Sequence, residues 1–99
     1  MKKYQEELDK SFKENGWEYW TPYQILARLM EETGELARLV NHLHGPKKKK
    51  DSEKEQDAEE KIGDIIYTLI CYVNSNGLDL DRAIRKSLDK VKNRDKGRY

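Results

Sequence analysis

Four carboxylates in two helix-spaced pairs are the residues of this sequence best suited to chemistry. Glu32 and Glu35 are three residues apart, and Glu60 and Asp64 are four apart. On a helix these spacings bring side chains together on adjacent turns, so each pair presents its carboxylates on one side. If the two helices pack antiparallel, up to four carboxylates converge. Hard oxygen ligands of this kind suit Mg²⁺ or Mn²⁺, and the sequence has no Cys/His cluster that would suit zinc.

The first pair lies in an amphipathic helix predicted for residues 21–43. Thr21 is suited to the N-cap, Pro22 to the first helical position, and Gln24 completes a capping box. At about 100° per residue, Glu32 falls inside the apolar stripe of this helix. A carboxylate there destabilises the fold unless a cation or hydrogen-bond donors compensate. The stripe comprises Ile25, Leu26, Leu29, Leu36, Leu39, Val40 and Leu43.

The second pair lies in a helix that starts between Ser52 and Ala58 and runs to about Asn76. Its segment 62–73 is apolar nearly all round, so we expect this helix to be the most buried element, packed on several sides. Asp64 stands opposite the main apolar face, where little water is available to an ionisable group. That face comprises Ile62, Ile65, Ile66, Leu69 and Val73.

Two more amphipathic patterns predict helices from Lys2 to about Asn15 and from Leu80 to about Arg94. No strand pattern or internal repeat is visible, so we predict an all-α fold of four helices in a single domain, residues 1–99. Its core spans about residues 20–94, and residues 46–56 form a charged, mobile loop. The last helix carries a stripe, predicted to face inward, of Ala83, Ile84, Leu88 and Val91.

Composition narrows the class of protein. A chain of 99 residues with 39% charged and 35% hydrophobic residues builds a small core, so self-association would help it. A net charge of +1 gives no electrostatic case for binding nucleic acid or an anionic membrane. Cys71 is the only cysteine, which excludes an intrachain disulfide and suits a reducing cytosol. With no signal-peptide pattern and no apolar run long enough to span a bilayer, we expect a soluble cytoplasmic protein.

The acidic pairs and the sequence that flanks them resemble the MazG-like nucleoside triphosphate pyrophosphohydrolases. The motif EETGE, residues 31–35, is followed after a loop by EEKIGD, residues 59–64. The resemblance extends over about residues 20–94 and includes the NGLDL turn. It implies all-α subunits that form a helical-bundle oligomer, a homodimer or homotetramer. It also implies Mg²⁺-dependent hydrolysis of an NTP to NMP and pyrophosphate, with Mn²⁺ as an alternative ion, in the house-cleaning of non-standard or surplus nucleotides.

Carried onto this chain, the family pattern assigns Glu32, Glu35 and Asp64 as the catalytic metal ligands. The family places a further glutamate three residues before the aspartate, where this chain has Lys61. Three explanations stay open. Glu60 stands in after a small helix rotation, the Lys61 ammonium replaces one metal ion, or the chain is a weakened or inactive relative.

Substrate contacts follow from the resemblance by position. The aromatic region before the first core helix and the acidic face of that helix form the family's nucleotide pocket, and recurrent polar positions meet the phosphates. These positions are Trp20, Gln24, His42, Lys61, Asn74, Lys86 and Arg94. Structural roles compete at several of them: Trp20 is suited to covering the core edge, Gln24 to the capping box, and His42 to the surface near a helix end.

Two rival classes of function stand beside the enzyme. The first is a helical interaction module that binds nucleotide without cleaving it, and Lys61 is the residue that favours it. The second is a nucleic-acid-binding helical domain, which the balanced charge disfavours.

Overall fold

Four helices make up the structure, a computed structural model that describes residues 1–46 and 58–98. In chain order they are α1, Lys2–Asn15; α2, Pro22–His44; α3, Ala58–Ser75; and α4, Leu80–Arg98. No strand occurs within these described ranges, which confirms the all-α prediction. The chain divides into two compact units, one of Met1–Tyr19 with Val73–Tyr99 and one of Trp20–Tyr72.

Local capping signals set the ends of the helices. The Thr21 hydroxyl accepts a hydrogen bond from the Gln24 N–H at 3.2 Å, and the Gln24 Oε1 accepts one from the Thr21 N–H at 2.9 Å. The predicted capping box is therefore confirmed. Gly16 and Gly77 follow α1 and α3 with φ angles of 66° and 64°, the left-handed region that glycine adopts without strain.

The unit that contains α1 and α4 is held by hydrogen bonds around Asn74. The Asn74 Oδ1 accepts a bond from the Gln5 Nε2 at 3.1 Å, and its Nδ2 donates to the Gln5 carbonyl at 3.0 Å and to the Tyr19 hydroxyl at 3.1 Å. The Tyr19 hydroxyl in turn donates to Asp9 at 2.9 Å. The Tyr19 ring stacks on Phe12 with 4.3 Å between centroids. This network ties α1 to the end of α3.

The other unit pairs α2 with α3 in antiparallel orientation. Glu35, late in α2, contacts Lys61, early in α3. Arg28, two turns earlier in α2, lines one cavity with Tyr67, which is later in α3. The order of contacts is thus reversed between the two helices. The side chains buried in this unit are Ile25, Glu32, Leu39, Thr68, Ile70 and Cys71.

Cys71 is a structural thiol within that core. Its side chain is 0% exposed, and burial raises its pKa to about 11. A thiol with this pKa is protonated at neutral pH, so it is a poor nucleophile and a poor metal ligand.

The packed side of α3 differs from the predicted main face. Ile62 and Leu69 are 46% and 37% exposed, whereas Thr68 and Cys71 are fully buried. The prediction of the main face is therefore wrong for these residues within one chain. The physical reason is that α2 packs on the side of α3 that carries Asp64 and Thr68. Because α3 is apolar nearly all round, periodicity did not distinguish its two sides.

The apolar stripe of α4 is exposed, contrary to the prediction that it faces inward. Ile84, Leu88 and Val91 are 51%, 46% and 43% exposed. Spacings of four and three residues correctly place these side chains on one face of a helix. That face has no covering surface among the described residues of the single chain, because α4 exposes every side chain from Asp81 to Arg94.

Three further sequence expectations concern membrane-spanning helices, the charged loop and the number of domains. In the described ranges, no helix combines the length and the apolarity that a bilayer crossing requires. The predicted mobile loop, residues 46–56, lies outside the described residues except for Pro46. The organisation of residues 1–99 as a single domain stays a prediction.

Candidate acidic metal site

A cavity of about 240 Å³ lies between α2 and α3. Glu32 and Asp64 line it together with Arg28, Tyr67 and Thr68. Of the four carboxylates in the predicted pairs, the antiparallel register brings these two to one cavity. A space of this size holds an ion with a few water molecules, since a water takes about 30 Å³ in the liquid.

Glu32 is a buried carboxylate with one unsatisfied oxygen. Its side chain is 8% exposed, and its Oε1 lies 3.5 Å from the Nε of Arg28. Its Oε2 has no hydrogen-bond partner among the described residues. Desolvation raises the pKa of Glu32, and the charges of Glu35 and Asp64 raise it further, while Arg28 and Lys61 oppose them. A buried oxygen left without a partner destabilises the fold until a ligand supplies one.

Lys61 extends from α3 to the second predicted ligand of α2. Its Nζ donates a hydrogen bond to the Glu35 Oε2 at 3.1 Å, and the Lys61 side chain is 21% exposed. This bond raises the pKa of Lys61 against the opposing effect of burial, and the charges of Glu35, Asp64 and Glu60 add to the rise. Lys61 is therefore a charged ammonium beside the acidic cavity. Glu60 itself is exposed in the first turn of α3.

The donor set fits a hard divalent cation. Carboxylate oxygens are the preferred ligands of Mg²⁺ and Mn²⁺. Glu32, whose buried Oε2 has no partner among the described residues, lines the cavity with Asp64. Nevertheless, the described residues contain no group of three or more Asp, Glu, His or Cys gathered closely enough to hold a metal ion. Two of the carboxylates instead have protein cations as partners, Glu32 with Arg28 and Glu35 with Lys61.

A second, more open cavity of about 300 Å³ borders Trp20. Gln24, Arg28 and Glu31 also line it. The Arg28 guanidinium carbon lies 5.6 Å from the centroid of the Trp20 ring, within cation–π distance. The Trp20 ring meets Tyr67 edge-on, with 6.5 Å between centroids. Arg28 lines both cavities, so a ligand that spans them would pass a guanidinium.

Arg28 is the residue that sequence reasoning missed as a functional candidate. It precedes Glu32 by four residues, and residues at this spacing meet on a helix. That spacing would have identified it. Gln24 has both of the roles considered for it, since its Oε1 serves the capping box while its side chain lines the cavity beside Trp20.

The remaining predicted substrate residues lie elsewhere in the described structure. His42 is half-buried in the last turn of α2. Asn74 uses its whole amide group to bind Gln5 and Tyr19. Lys86 and Arg94 are exposed on α4. A substrate contact by any of these four stays a prediction.

Comparison with known proteins finds similarity along almost the whole chain. Residues 20–99 match the family model of the MazG nucleotide pyrophosphohydrolase domain. The uncharacterised Bacillus subtilis protein YpjD is 43% identical over 102 residues, covering 100% of this chain and 89% of YpjD. YvdC, from the same organism, is 30% identical over 93 residues, covering 88% of each chain.

Two solved structures share the fold and much of the sequence. The crystal structure of Bacillus subtilis YpjD, described as a candidate pyrophosphatase, has a TM-score of 0.79 and 40% identity. That match covers 92% of this chain and 91% of the other. The crystal structure of a Bacillus-conserved MazG protein, described as a nucleotide pyrophosphohydrolase, has a TM-score of 0.73 and 36% identity. It covers 91% of this chain and 86% of that one.

The unsatisfied carboxylate predicts an unusual stability effect. Glu32→Gln should raise the free energy of unfolding by about 1–2 kcal/mol in EDTA, because it removes a desolvated charge that Glu35 and Asp64 repel. Urea denaturation at one fixed protein concentration measures this difference. Glu31→Gln is the control, since that side chain is 67% exposed, and it should change stability by less than about 0.5 kcal/mol. A loss of stability in Glu32→Gln would contradict the interpretation.

Proposed function

The chain belongs to the MazG nucleotide pyrophosphohydrolase family, and we propose that it hydrolyses a nucleoside triphosphate to the monophosphate and pyrophosphate with Mg²⁺. It is a hydrolase that acts on nucleotide anhydrides. The observation that carries the finer proposal is Glu32, which lines a cavity together with Asp64 and whose buried Oε2 has no partner among the described residues. In the reaction, a water oxygen bonds to the α-phosphorus while the anhydride bond between the α- and β-phosphates breaks. Removal of surplus or non-standard nucleotides in the cytoplasm is part of this proposal.

The acidic side chains have distinct roles in this proposal. Glu32 and Asp64 would hold the Mg²⁺, Glu35 would join them if Lys61 released it, and Glu60 is a candidate fourth ligand. When bound, the ion activates water and neutralises charge on the phosphoryl group. Burial of Glu32 favours a bound cation, because few water molecules compete for its oxygens.

The second cavity supports a place for the rest of the nucleotide. The Trp20 ring offers a flat face on which a nucleobase can stack. Gln24 lines the same cavity and keeps its amide nitrogen outside the capping box, where it can donate to a base. Arg28 lines both cavities, and a guanidinium binds phosphate oxygens through several N–H groups. Base, phosphates and metal would thus follow one another along α2.

The reaction itself is tested with a panel of NTPs and dNTPs. In the presence of Mg²⁺, the purified protein should release nucleoside monophosphate and pyrophosphate in equal amounts, and EDTA should stop the release. Glu32→Gln should lower kcat by at least about 100-fold, because the neutral amide is a poor ligand for a hard cation. Glu14→Gln is the control, an exposed α1 carboxylate 3.8 Å from Lys10, and it should retain wild-type turnover. Release of orthophosphate, or full activity of Glu32→Gln, would contradict the proposal.

Nucleotide binding without cleavage is the second candidate function. The ion pair of Lys61 with Glu35 favours it, because this contact occupies a carboxylate that the family pattern assigns to metal. The hydrolase and the binding protein would both hold a nucleotide in the two cavities along α2. They differ only in whether the nucleotide is cleaved.

Tryptophan fluorescence together with the pyrophosphate assay separates the hydrolase from the binding protein. In a Trp17→Phe protein, the remaining Trp20 should be quenched by a bound NTP, since the base would stack on its ring. The matched variant is Trp20→Phe, which keeps the 57% exposed Trp17 and should show no quenching. Quenching together with pyrophosphate release supports the hydrolase, and quenching without release supports the binding protein. Equal quenching in both variants would contradict the placement of the base.

The exposed apolar faces support self-association, as a homodimer or homotetramer. The α4 stripe of Ile84, Leu88 and Val91 has the spacing of a helix-packing seam, and each of these side chains is about half exposed. A second copy presents an identical stripe, which a symmetric interface can bury. A chain of 99 residues gains proportionally more from such burial than a large one.

This proposal predicts an effect of charge on the α4 stripe. Leu88→Glu should reduce the mass measured by light scattering toward that of one chain, because the charge would be desolvated in the interface. Lys90→Glu lies off the stripe and reverses a charge, so it controls for net charge and should keep the oligomer. A Leu88→Glu protein that keeps its full oligomeric mass would exclude α4 from the interface.

A further inference from the structure

Lys61 is a lysine with an unusual position, since it belongs to the helix that supplies Asp64 yet bonds to the other helix. It precedes Asp64 by three residues, so it projects one turn earlier on the same side of α3. Its Nζ reaches the Glu35 Oε2 at 3.1 Å, and only 21% of its side chain is exposed. The ammonium has therefore exchanged much of its hydration for a carboxylate.

The cavity keeps two carboxylates for a ligand once this pair is formed. Glu32 and Asp64 line it, and Glu35 is bound to Lys61. The charges of these two carboxylates balance one divalent cation, and the Arg28 Nε, 3.5 Å from the Glu32 Oε1, further disfavours a second one. A second divalent cation would require further anionic ligands, and the nearest one on α2, Glu35, is already neutralised by a protein cation.

The charge of Lys61 also equals the net charge of a glutamate with a bound divalent ion, the group that the family pattern would place at position 61. A carboxylate at position 61 with a divalent ion bound to it would carry one net positive charge, as the ammonium does. The ammonium thus supplies Glu35 with a positive partner without any metal. This equality of charge makes the pair a substitute for a second ion rather than an empty site for one.

We propose that Lys61 is a built-in counter-ion that holds Glu35 and limits the acidic site to a single divalent cation per chain. The inference rests on the proposed function, because that function supplies the first ion at Glu32 and Asp64. It assigns Lys61 the role of a positioning residue, which keeps Glu35 beside the cavity through the ion pair.

The test is the number of ions bound without any nucleotide. Electron paramagnetic resonance of free Mn²⁺ gives the stoichiometry, and calorimetry with Mg²⁺ gives the affinity. The wild-type chain should bind one ion, and Lys61→Glu should bind two. Lys61→Gln should still bind one ion, with a dissociation constant at least about tenfold lower, because a neighbouring positive charge is removed.

Two further variants separate this role from general electrostatics and from misfolding. Lys10→Glu makes the same change of net charge on α1, where the side chain is 77% exposed, and it should bind one ion with wild-type affinity. Adding Glu35→Gln to Lys61→Glu should return the stoichiometry to one. Circular dichroism confirms that each variant is helical before it is scored. If Lys61→Glu is unfolded, the tenfold affinity change in Lys61→Gln decides.

The outcomes for the two proposals are distinguishable. Two ions bound by the wild-type chain, or one ion bound by folded Lys61→Glu, would overturn the inference even if pyrophosphate is released. Unchanged affinity in Lys61→Gln would overturn it as well. One ion bound without any pyrophosphate release would instead overturn the proposed hydrolysis and leave the role of Lys61 supported. A wild-type chain that binds no ion would overturn both the metal dependence and the inference.

Discussion

The placement of a carboxylate on the packing face of α2 governs the rest of the site. Glu32 occupies a position that a purely structural helix would give to leucine, between buried Ile25 and Leu39. Little water therefore reaches its carboxylate, and among the described residues the ion-pair partner within reach is Arg28, at 3.5 Å. Stability and function oppose each other at this position, because the charge that weakens the metal-free fold is the one that would bind a cation.

Much of this arrangement was predictable because it is local. The capping box of Thr21 and Gln24 fixes where α2 starts, and the rotation per residue then fixes which side Glu32 occupies. The length of the chain between the helices allowed an antiparallel pair, which brings Asp64 to the same level. Family resemblance added the prediction that such a pair binds Mg²⁺. The outcome depended on spacing within helices, which sequence patterns report well.

The contacts that were missed or wrongly predicted depend on what packs against a helix. Periodicity identified the α4 stripe but could not indicate whether its partner lies in the same chain. The exposure of Leu88 shows that the part of the chain that the structure describes does not cover this stripe. The sequence also left open what Lys61 does, because its bond to Glu35 depends on the register between two helices. Arg28 was overlooked for a different reason: a charged residue at the edge of a stripe usually has no specific role.

The burial of Cys71 has a practical consequence for the unit that carries the acidic cavity. Its thiol is fully enclosed in α3 and has a pKa of about 11, so reagents and oxidants cannot attack it while the helices remain together. Since it is the only cysteine of the chain, any modification of the protein by a thiol reagent records a transient separation of this core. The molecule therefore contains its own probe of local opening, and a ligand that clamps α2 to α3 would slow its labelling.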